Sequence, residues 1–466
     1  MSTHLAARTT MAGHAKALLR LAVPLALSSL SQMAMGLTDS VLLGGIGGGA
    51  LAAGGLAASL FFTVLVILQG ALIAAGVLAA QALGAGDDRR VASLYGTGLV
   101  VGSVLSLIAF AGFSLVKPAL LVMHEPPVLA NDVGIYMDVL RWGCPASLAC
   151  LGMLRAILPA IDEAGLLLWV MPPMVVVNGL LNYGLIHGFD LSGWHLLPAL
   201  GLRGSALATT LTLWLTVTIL FVLLHRSPAG RRLVTPPRFS PGEIRTIARM
   251  GLPISVTIAA ETLLFLVAGL AAGRLGASAL TAHQVVLSIT AFIFMVPLSL
   301  GQAANVRVGL AFGAGDMADA RRAGFAATGV VVMVMTTIGL VLLLVPHRLA
   351  SVFLDPHVAA NDASIRTVVA LLGIAALFQV ADGIQVVALG ALRGLGDTAV
   401  PMVLATIGYW AIGAPLGWWT AFRLGLGAAG LWIGLAVALG AVAVMMMLRF
   451  IARTGTRRRN EKRLPR

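Results

Sequence analysis

The sequence predicts an all-α integral membrane protein: twelve transmembrane helices in two six-helix, pseudo-symmetric bundles. Three observations predict it. Hydrophobic residues make up 59% of the 466-residue chain and charged residues only 11%, against about 25% charged in ordinary globular domains. Apolar runs of roughly twenty residues, each long enough to cross a hydrocarbon core about 30 Å thick, recur from end to end. The second half of the chain also repeats landmarks of the first. A β-barrel would show strictly alternating segments of about ten residues; these runs are continuous and do not alternate.

Breaks at polar residues, glycine and proline divide the chain into spans at about 18–43, 50–80, 92–116, 134–157, 166–188, 196–225, 244–272, 279–310, 323–345, 365–392, 399–422 and 428–451. The first begins "MAGHAKALLRLAVPLALSSLSQ" and resembles a signal peptide, with basic residues before an apolar core. The run continues to about Leu43 without an A-x-A site, so it reads as a retained span. Cys144 and Cys150 lie in span 4 on different faces of one helix, which argues against a disulfide between them. Pro24, Pro253, Pro297 and Pro401 lie in or at the ends of spans, where the freed carbonyls permit bends. Trp142, Trp169, Trp194, Trp418 and Trp419 fall near span ends, as in an interfacial belt.

Net charge is +13. The basic residues sit in short loops and in the tail "RTGTRRRNEKRLPR", a placement that argues for a membrane surface and against nucleic acid. With the N-terminus inside, 24 Lys and Arg residues, from Arg8 to Arg466, fall on the inner side and seven on the outer. That asymmetry asks for an even number of spans in a multi-pass protein with both termini cytoplasmic.

At an offset of 229, Pro24 falls on Pro253, Gly44 and Gly47 on Gly273 and Gly276, and "GAGD" (84–87) on "GAGD" (313–316). Later the offset drifts, as loop insertions produce: "MLRA" (153–156) meets "ALRG" (391–394). Two six-span units entering from the same side are related by an axis along the membrane normal. The expected organisation is an N-terminal lobe over 1–225, a linker over 226–242, a C-terminal lobe over 243–452 and a basic cytoplasmic tail over 453–466. Two lobes with a cavity between them suit an alternating-access carrier.

Eighteen residues are acidic, and three lie well inside spans: Asp39, Glu261 and Asp382. Each costs about 2.5–3.5 kcal/mol on insertion scales and marks a functional site by default. No basic residue is expected deep in a span beside them. A carboxyl so placed persists if its charge is conditional. It can take and release a proton, or hold a sodium ion among oxygen neighbours, and sodium is the metal considered at Glu261 and Asp382. In the repeat Glu261 aligns with Gln32 and Asp39 with Ala268, so the lobes are chemically unlike. Asn178 and Asn182, four residues apart, share one face of span 5. If spans 1 and 5 meet, these amides sit beside Asp39. His283, near the start of span 8, is a further supporting polar residue, with no second ligand at metal spacing around it. The glycine-rich "GGIGGGALAAGG" lacks G-x-x-x-x-G-K-[ST] and follows no strand, so no ATP site is expected, no organic cofactor is called for, and the energy source should be an ion gradient of H+ or Na+.

Five stretches then resemble one family: "LAVPLALSSLSQMAMGLTDSVLLGGIG" in span 1, "LNYGLIHG" in span 5, "GLPISVTIAAETLLF" in span 7, "LTAHQ" opening span 8 and "FQVADGIQVVALGALRGLGDT" across span 10. Over residues 15–450 the chain resembles the multidrug and toxic compound extrusion (MATE) family, most closely its bacterial NorM-like branch. The resemblance implies a V-shaped twelve-helix fold. It also implies export of cationic, amphipathic compounds in exchange for sodium or protons. Family cation-site roles then map onto Glu261 and Asp382 in one lobe and onto Asp39, Asn178 and Asn182 in the other. Four residues before Asp382 the branch often has tyrosine where this chain has Phe378. What the resemblance implies is thus a monomeric antiporter in the lipid bilayer of a bacterial inner membrane, handling small cationic organic substrates and not an enzyme. One rival is a flippase for lipid-linked oligosaccharides, which would need a cationic cavity. Another is an integral-membrane enzyme, which would need clustered acid or histidine side chains at a membrane face.

Overall fold

The structure, a computed structural model, describes residues 10–191, 194–234 and 239–461. Arg8, the tail residues 462–466 and linker residues 235–238, all used above to judge charge placement, lie outside the described residues.

Helices α1 (Met11–Ile46), α2 (Gly48–Gly84) and α3 (Asp88–Phe113) open the chain, followed by the short α4 (Val116–Val122). A helical run from α5 (Pro127–Leu140) to α6 (Met153–Ile157) follows, with a π-helical stretch at Pro145–Gly152. After α7 (Gly165–His187) come two short antiparallel strands, β1 (Phe189–Leu191) and β2 (Trp194–Leu197). Then come α8 (Leu202–Arg226), α9 (Pro228–Val234), α10 (Pro241–Arg274), α11 (Ala277–Gly313), α12 (Met317–Leu344) and α13 (Pro346–Ser351). Last are α14 (Asp362–Gly394), α15 (Ala399–Thr406), α16 (Ala414–Trp418) and α17 (Gly427–Glu461), with π-helical turns at Ile407–Gly413 and Trp419–Arg423 flanking α16.

Among the described residues, eleven helical stretches are long and apolar enough to cross a membrane. The remaining expected span, 134–157, falls in the run from α5 to α6, where three helix types follow one another. The hairpin departs from the all-helical expectation. Gly188, at φ +84°, ends α7, and the chain doubles back before α8 starts at Leu202 rather than near 196. The linker holds α9, and α17 runs past Arg453 into the expected tail.

The repeat is visible helix by helix. α2 and α11 have the same 37-residue length and begin 229 positions apart. Both end at a "GAGD" turn in which Gly86 and Gly315 take φ of +75° and +79°, a region glycine enters without a Cβ clash. The aspartate then caps the next helix: Asp87 accepts from Arg90 N at 2.9 Å and Asp316 from Asp319 N at 2.8 Å.

The chain forms two compact units. One comprises Leu27–Leu83 and Asp87–Ser255, the other the described parts of Met1–Ala26, Gly84–Gly86 and Val256–Arg466. α1 and α10 are each shared, changing unit after Ala26 and after Ser255. In the second unit α14 packs on α11, α17 and α12. There the backbones approach closely: a Cβ on Gly390 would collide with the carbonyl oxygen of Gly301, the small-residue packing expected of helices in lipid. In the first unit α7 packs on α8, and α5 also packs on α8.

Candidate functional site

In the first unit, α1, α7 and α8 bring together a buried carboxylate and its donors. Asp39, 7% exposed, accepts from Asn182 Nδ2 at 2.7 Å on one oxygen and from Thr209 Oγ1 at 2.7 Å on the other. Asn182 Nδ2 also donates to the backbone carbonyl of Asn178 one turn earlier. Asn178 and Asn182 are both fully buried, and Asn178 lines a small cavity with Asp39, Gln32 and Thr209. Its own side-chain amide closes no hydrogen bond. Spans 1 and 5 do meet, and Asp39 is satisfied by neutral donors. Thr209 was not singled out in the sequence. The threonine-rich "ATTLTLWLTVT" of α8 carried the signal, because hydroxyls recurring on a membrane helix serve lining or bonding.

Gln32, seven residues before Asp39, serves a different partner. Its amide oxygen accepts from Arg155 Nη1, while Arg155 Nη2 donates to Ser29 Oγ at 2.7 Å. Arg155 thus turns into the first unit, toward two neutral side chains and not toward Asp39. The reason is geometric: each Cα–Cβ bond in a helix tilts toward the N-terminus. An arginine in the last turn of α6 therefore reaches back along the span.

In the second unit the pair is Glu261 of α10 and Asp382 of α14. Gln385 Nε2, one turn beyond Asp382, donates to Glu261 Oε1 at 3.3 Å. Asp382, 5% exposed, faces Glu261, and its Oδ1 makes no hydrogen bond. Arg393, near the end of α14, acts electrostatically on Glu261. Arg393 is the repeat mate of Arg155, as Glu261 is of Gln32. The repeated frame thus holds an arginine beside a glutamine in one unit and beside a glutamate in the other.

His283, fully buried on α11, stands apart from this pair. It packs edge-on to Trp432 at 5.8 Å, and the Phe378 ring lies 5.7 Å from the same indole. Neither ring nitrogen forms a hydrogen bond, to Glu261, Asp382 or any other described residue. Of the residues singled out in the sequence, the structure thus groups Asp39 with Asn178, Asn182 and Gln32, and Glu261 with Asp382. Beyond those, Thr209, Gln385, Arg155 and Arg393 join the two neighbourhoods. Among the described residues no group of three or more His, Cys, Asp or Glu is placed to hold a metal ion. An ion at either place would depend on mixed carboxylate, amide and hydroxyl oxygens.

A family model described as MatE matches residues 24–183 and again 253–419. The chain belongs to the MatE family. The two matched stretches begin at Pro24 and Pro253, the repeat mates noted above. The MatE chain is 49% identical over 451 residues to "Multidrug resistance protein NorM" of Burkholderia vietnamiensis, covering 97% of this chain and 96% of that one. It is also 49% identical over 442 residues to "Probable multidrug resistance protein NorM" of Burkholderia mallei (strain ATCC 23344), covering 95% and 93%. Its fold is that of the eukaryotic MATE transporter AtDTX14, with a TM-score of 0.83 at 20% identity over 95% of this chain and 96% of that one. A structure described as the outward-facing conformation of a multidrug resistance MATE family transporter of the MOP superfamily matches with a TM-score of 0.81 at 19% identity, covering 95% and 96%. As a MatE protein the chain is a multi-pass membrane transporter, not an enzyme.

Proposed function

We propose that this MatE protein is a secondary antiporter of a bacterial inner membrane, with both termini cytoplasmic, working as a monomer. It exports cationic, amphipathic drugs and toxic compounds in exchange for protons or sodium and uses no organic cofactor. The moving parts are the lobes 1–225 and 243–452, joined by the linker 226–242. Support for the substrate class comes from the names of the relatives at 49% identity and from acidic rather than basic side chains offered to a cation. Support for the orientation comes from the 24-to-seven distribution of Lys and Arg.

One observation carries the coupling. Asp39 is buried within a membrane helix and held at 2.7 Å by an amide and a hydroxyl, with no cationic donor to either carboxylate oxygen. Glu261 and Asp382 form a second acidic place, where Arg393 acts on Glu261 alone and Asp382 keeps an oxygen without a hydrogen bond. Sites of this kind take up one small cation or proton and give it back as their surroundings change. Filling them biases a two-state equilibrium by the difference in cation affinity between the states. A lipophilic cation competing for the same negative charge leaves as the coupling ion enters.

The flippase reading asks for free guanidinium groups to hold pyrophosphate. Arg155 is instead committed to Gln32 and Ser29, and Arg393 is opposed by Glu261.

The test is dye efflux in inverted membrane vesicles under a sodium gradient and, separately, a proton gradient. Wild-type protein should move dye under at least one. Glu261→Gln and Asp382→Asn should abolish coupled efflux at normal membrane abundance. Wild-type rates in both variants would refute the site assignment.

A further inference from the structure

Tyr409 is a deeply placed polar side chain that the coupling reading leaves unused. It stands in the π-helical turn Ile407–Gly413 and is fully buried. π-helical turns inside α-helices are frequent at functional sites. The next residue fixes this turn in place: the Trp410 indole donates to the carbonyl of Ala260, at 3.2 Å, immediately before Glu261. That contact sets Tyr409 beside Glu261 of α10, within electrostatic reach of Asp382 and Arg393 of α14. Its hydroxyl nevertheless closes no hydrogen bond, and the same is true of Asp382 Oδ1 and Gln385 Oε1.

Three buried oxygens around these two carboxyls therefore close no hydrogen bond: two are acceptors, and the third, the phenol, can donate to a carboxylate while its lone pairs stay open. Leaving such groups unmet is costly in any dry environment. Acceptor oxygens are also what a small hard cation, or a proton held between two oxygens, calls for. Phe378 does not fill this role, since its ring lies against Trp432 and it carries no oxygen.

We infer that Tyr409 supplies a further oxygen of the coupling site, its hydroxyl binding the sodium ion or proton that Glu261 and Asp382 take up. The inference rests on the antiporter reading of those two carboxyls. It assigns the π turn a purpose: a regular helix would carry the phenol to another face.

Tyr409→Phe deletes one atom and keeps the ring, so the fold is retained. Thermal unfolding of the purified protein is followed against sodium chloride at fixed pH, with choline chloride balancing ionic strength, and against pH without sodium. Wild-type protein should gain stability as its coupling cation fills the site. The variant should need about tenfold more of that cation, as expected when a charged site loses one polar partner. Its ion-free stability should be unchanged or higher, because a buried unpaired hydroxyl has gone. Superimposable sodium and pH dependences for the two proteins would overturn the inference. Glu261→Gln, run in parallel, separates the two levels. If it too responds like wild type, the antiporter reading of this site fails. If it no longer responds while Tyr409→Phe behaves like wild type, only the role of Tyr409 fails.

Discussion

At the residue scale, the unlike chemistry of the two units traces to a few exchanges on one repeated frame. Asp39 is bonded by Asn182 and Thr209, and its repeat mate is Ala268. Thr209→Val leaves one carboxylate oxygen without its hydroxyl donor, a hydrogen bond to a charged group worth about 1.5–3 kcal/mol. Coupled efflux in inverted vesicles should fall roughly tenfold or more, and Thr209→Ser should restore it; equal rates in all three proteins would show the hydroxyl to be idle. Arg155 provides a second test. Arg155→Met keeps much of the apolar stem but strips Gln32 and Ser29 of their donor, so the unfolding midpoint in detergent should drop by the equivalent of about 1–3 kcal/mol. Gln32→Glu should be tolerated while Arg155 is present, because it recreates the arginine–glutamate arrangement of the other unit. The same change in an Arg155→Met background should cost about 3–5 kcal/mol, the penalty for a buried charge stripped of its partner.

Which residues could be read in advance follows from this chemistry. Asp39, Glu261 and Asp382 announce themselves because a carboxylate in an apolar run is costly and three of them outnumber what helix bonding alone calls for, and Asn178 and Asn182 because their spacing fixes a shared face. Thr209 and Gln385 announce nothing alone; their roles depend on which helix packs opposite. Arg155 and Arg393 looked like ordinary residues at span ends. Only the backward tilt of helical side chains places them inside.

At the element scale, the caps and crossings carry the fold. Asp87 and Asp316 close α3 and α12 by the same bond in the two halves. Asp87→Ala and Asp316→Ala should each lower stability by about 1 kcal/mol, measurable as matched shifts in thermal unfolding; a large shift for one alone would break the equivalence of the repeats. The α11–α14 crossing at Gly301 and Gly390 matters more to the site, because α14 carries Asp382, Gln385 and Arg393. Gly390→Leu should push the helices apart and yield little monodisperse protein by size exclusion, whereas a well-behaved variant would show that the crossing is soft. Helix existence was legible from run length and the "GAGD" landmarks. The π turns near 145, 407 and 419 and the hairpin after Gly188 were not. Each inserts or redirects only a few residues without altering the apolar run that signals a span.

At the scale of the whole molecule, the repeat explains why two candidate ion places exist. Duplication gave each unit the same helical frame, and divergence put Asp39 with neutral donors in one and Glu261 with Asp382 in the other. α1 and α10 change unit at corresponding positions, after Ala26 and after Ser255. The two acidic places therefore lie on elements that both units share: Asp39 on α1 and Glu261 on α10. If coupling operates through both, Asp39→Asn should depress transport without erasing the cation response left by Glu261 and Asp382, and the triple variant should lose it entirely. Efflux rates under imposed gradients decide this, and a wild-type rate in Asp39→Asn would leave the second unit as the sole coupling element.

The most direct test of the central claim is to add a lipophilic cation to the purified protein and record ion release, with a pH-indicator dye for protons and a sodium-selective electrode for sodium. The account predicts a prompt release of one of these ions from the wild type and none from the Asp39→Asn, Glu261→Gln, Asp382→Asn triple variant, with substrate still able to reach the folded protein. Equal release from both proteins, or none from a wild type that binds the substrate, would contradict it.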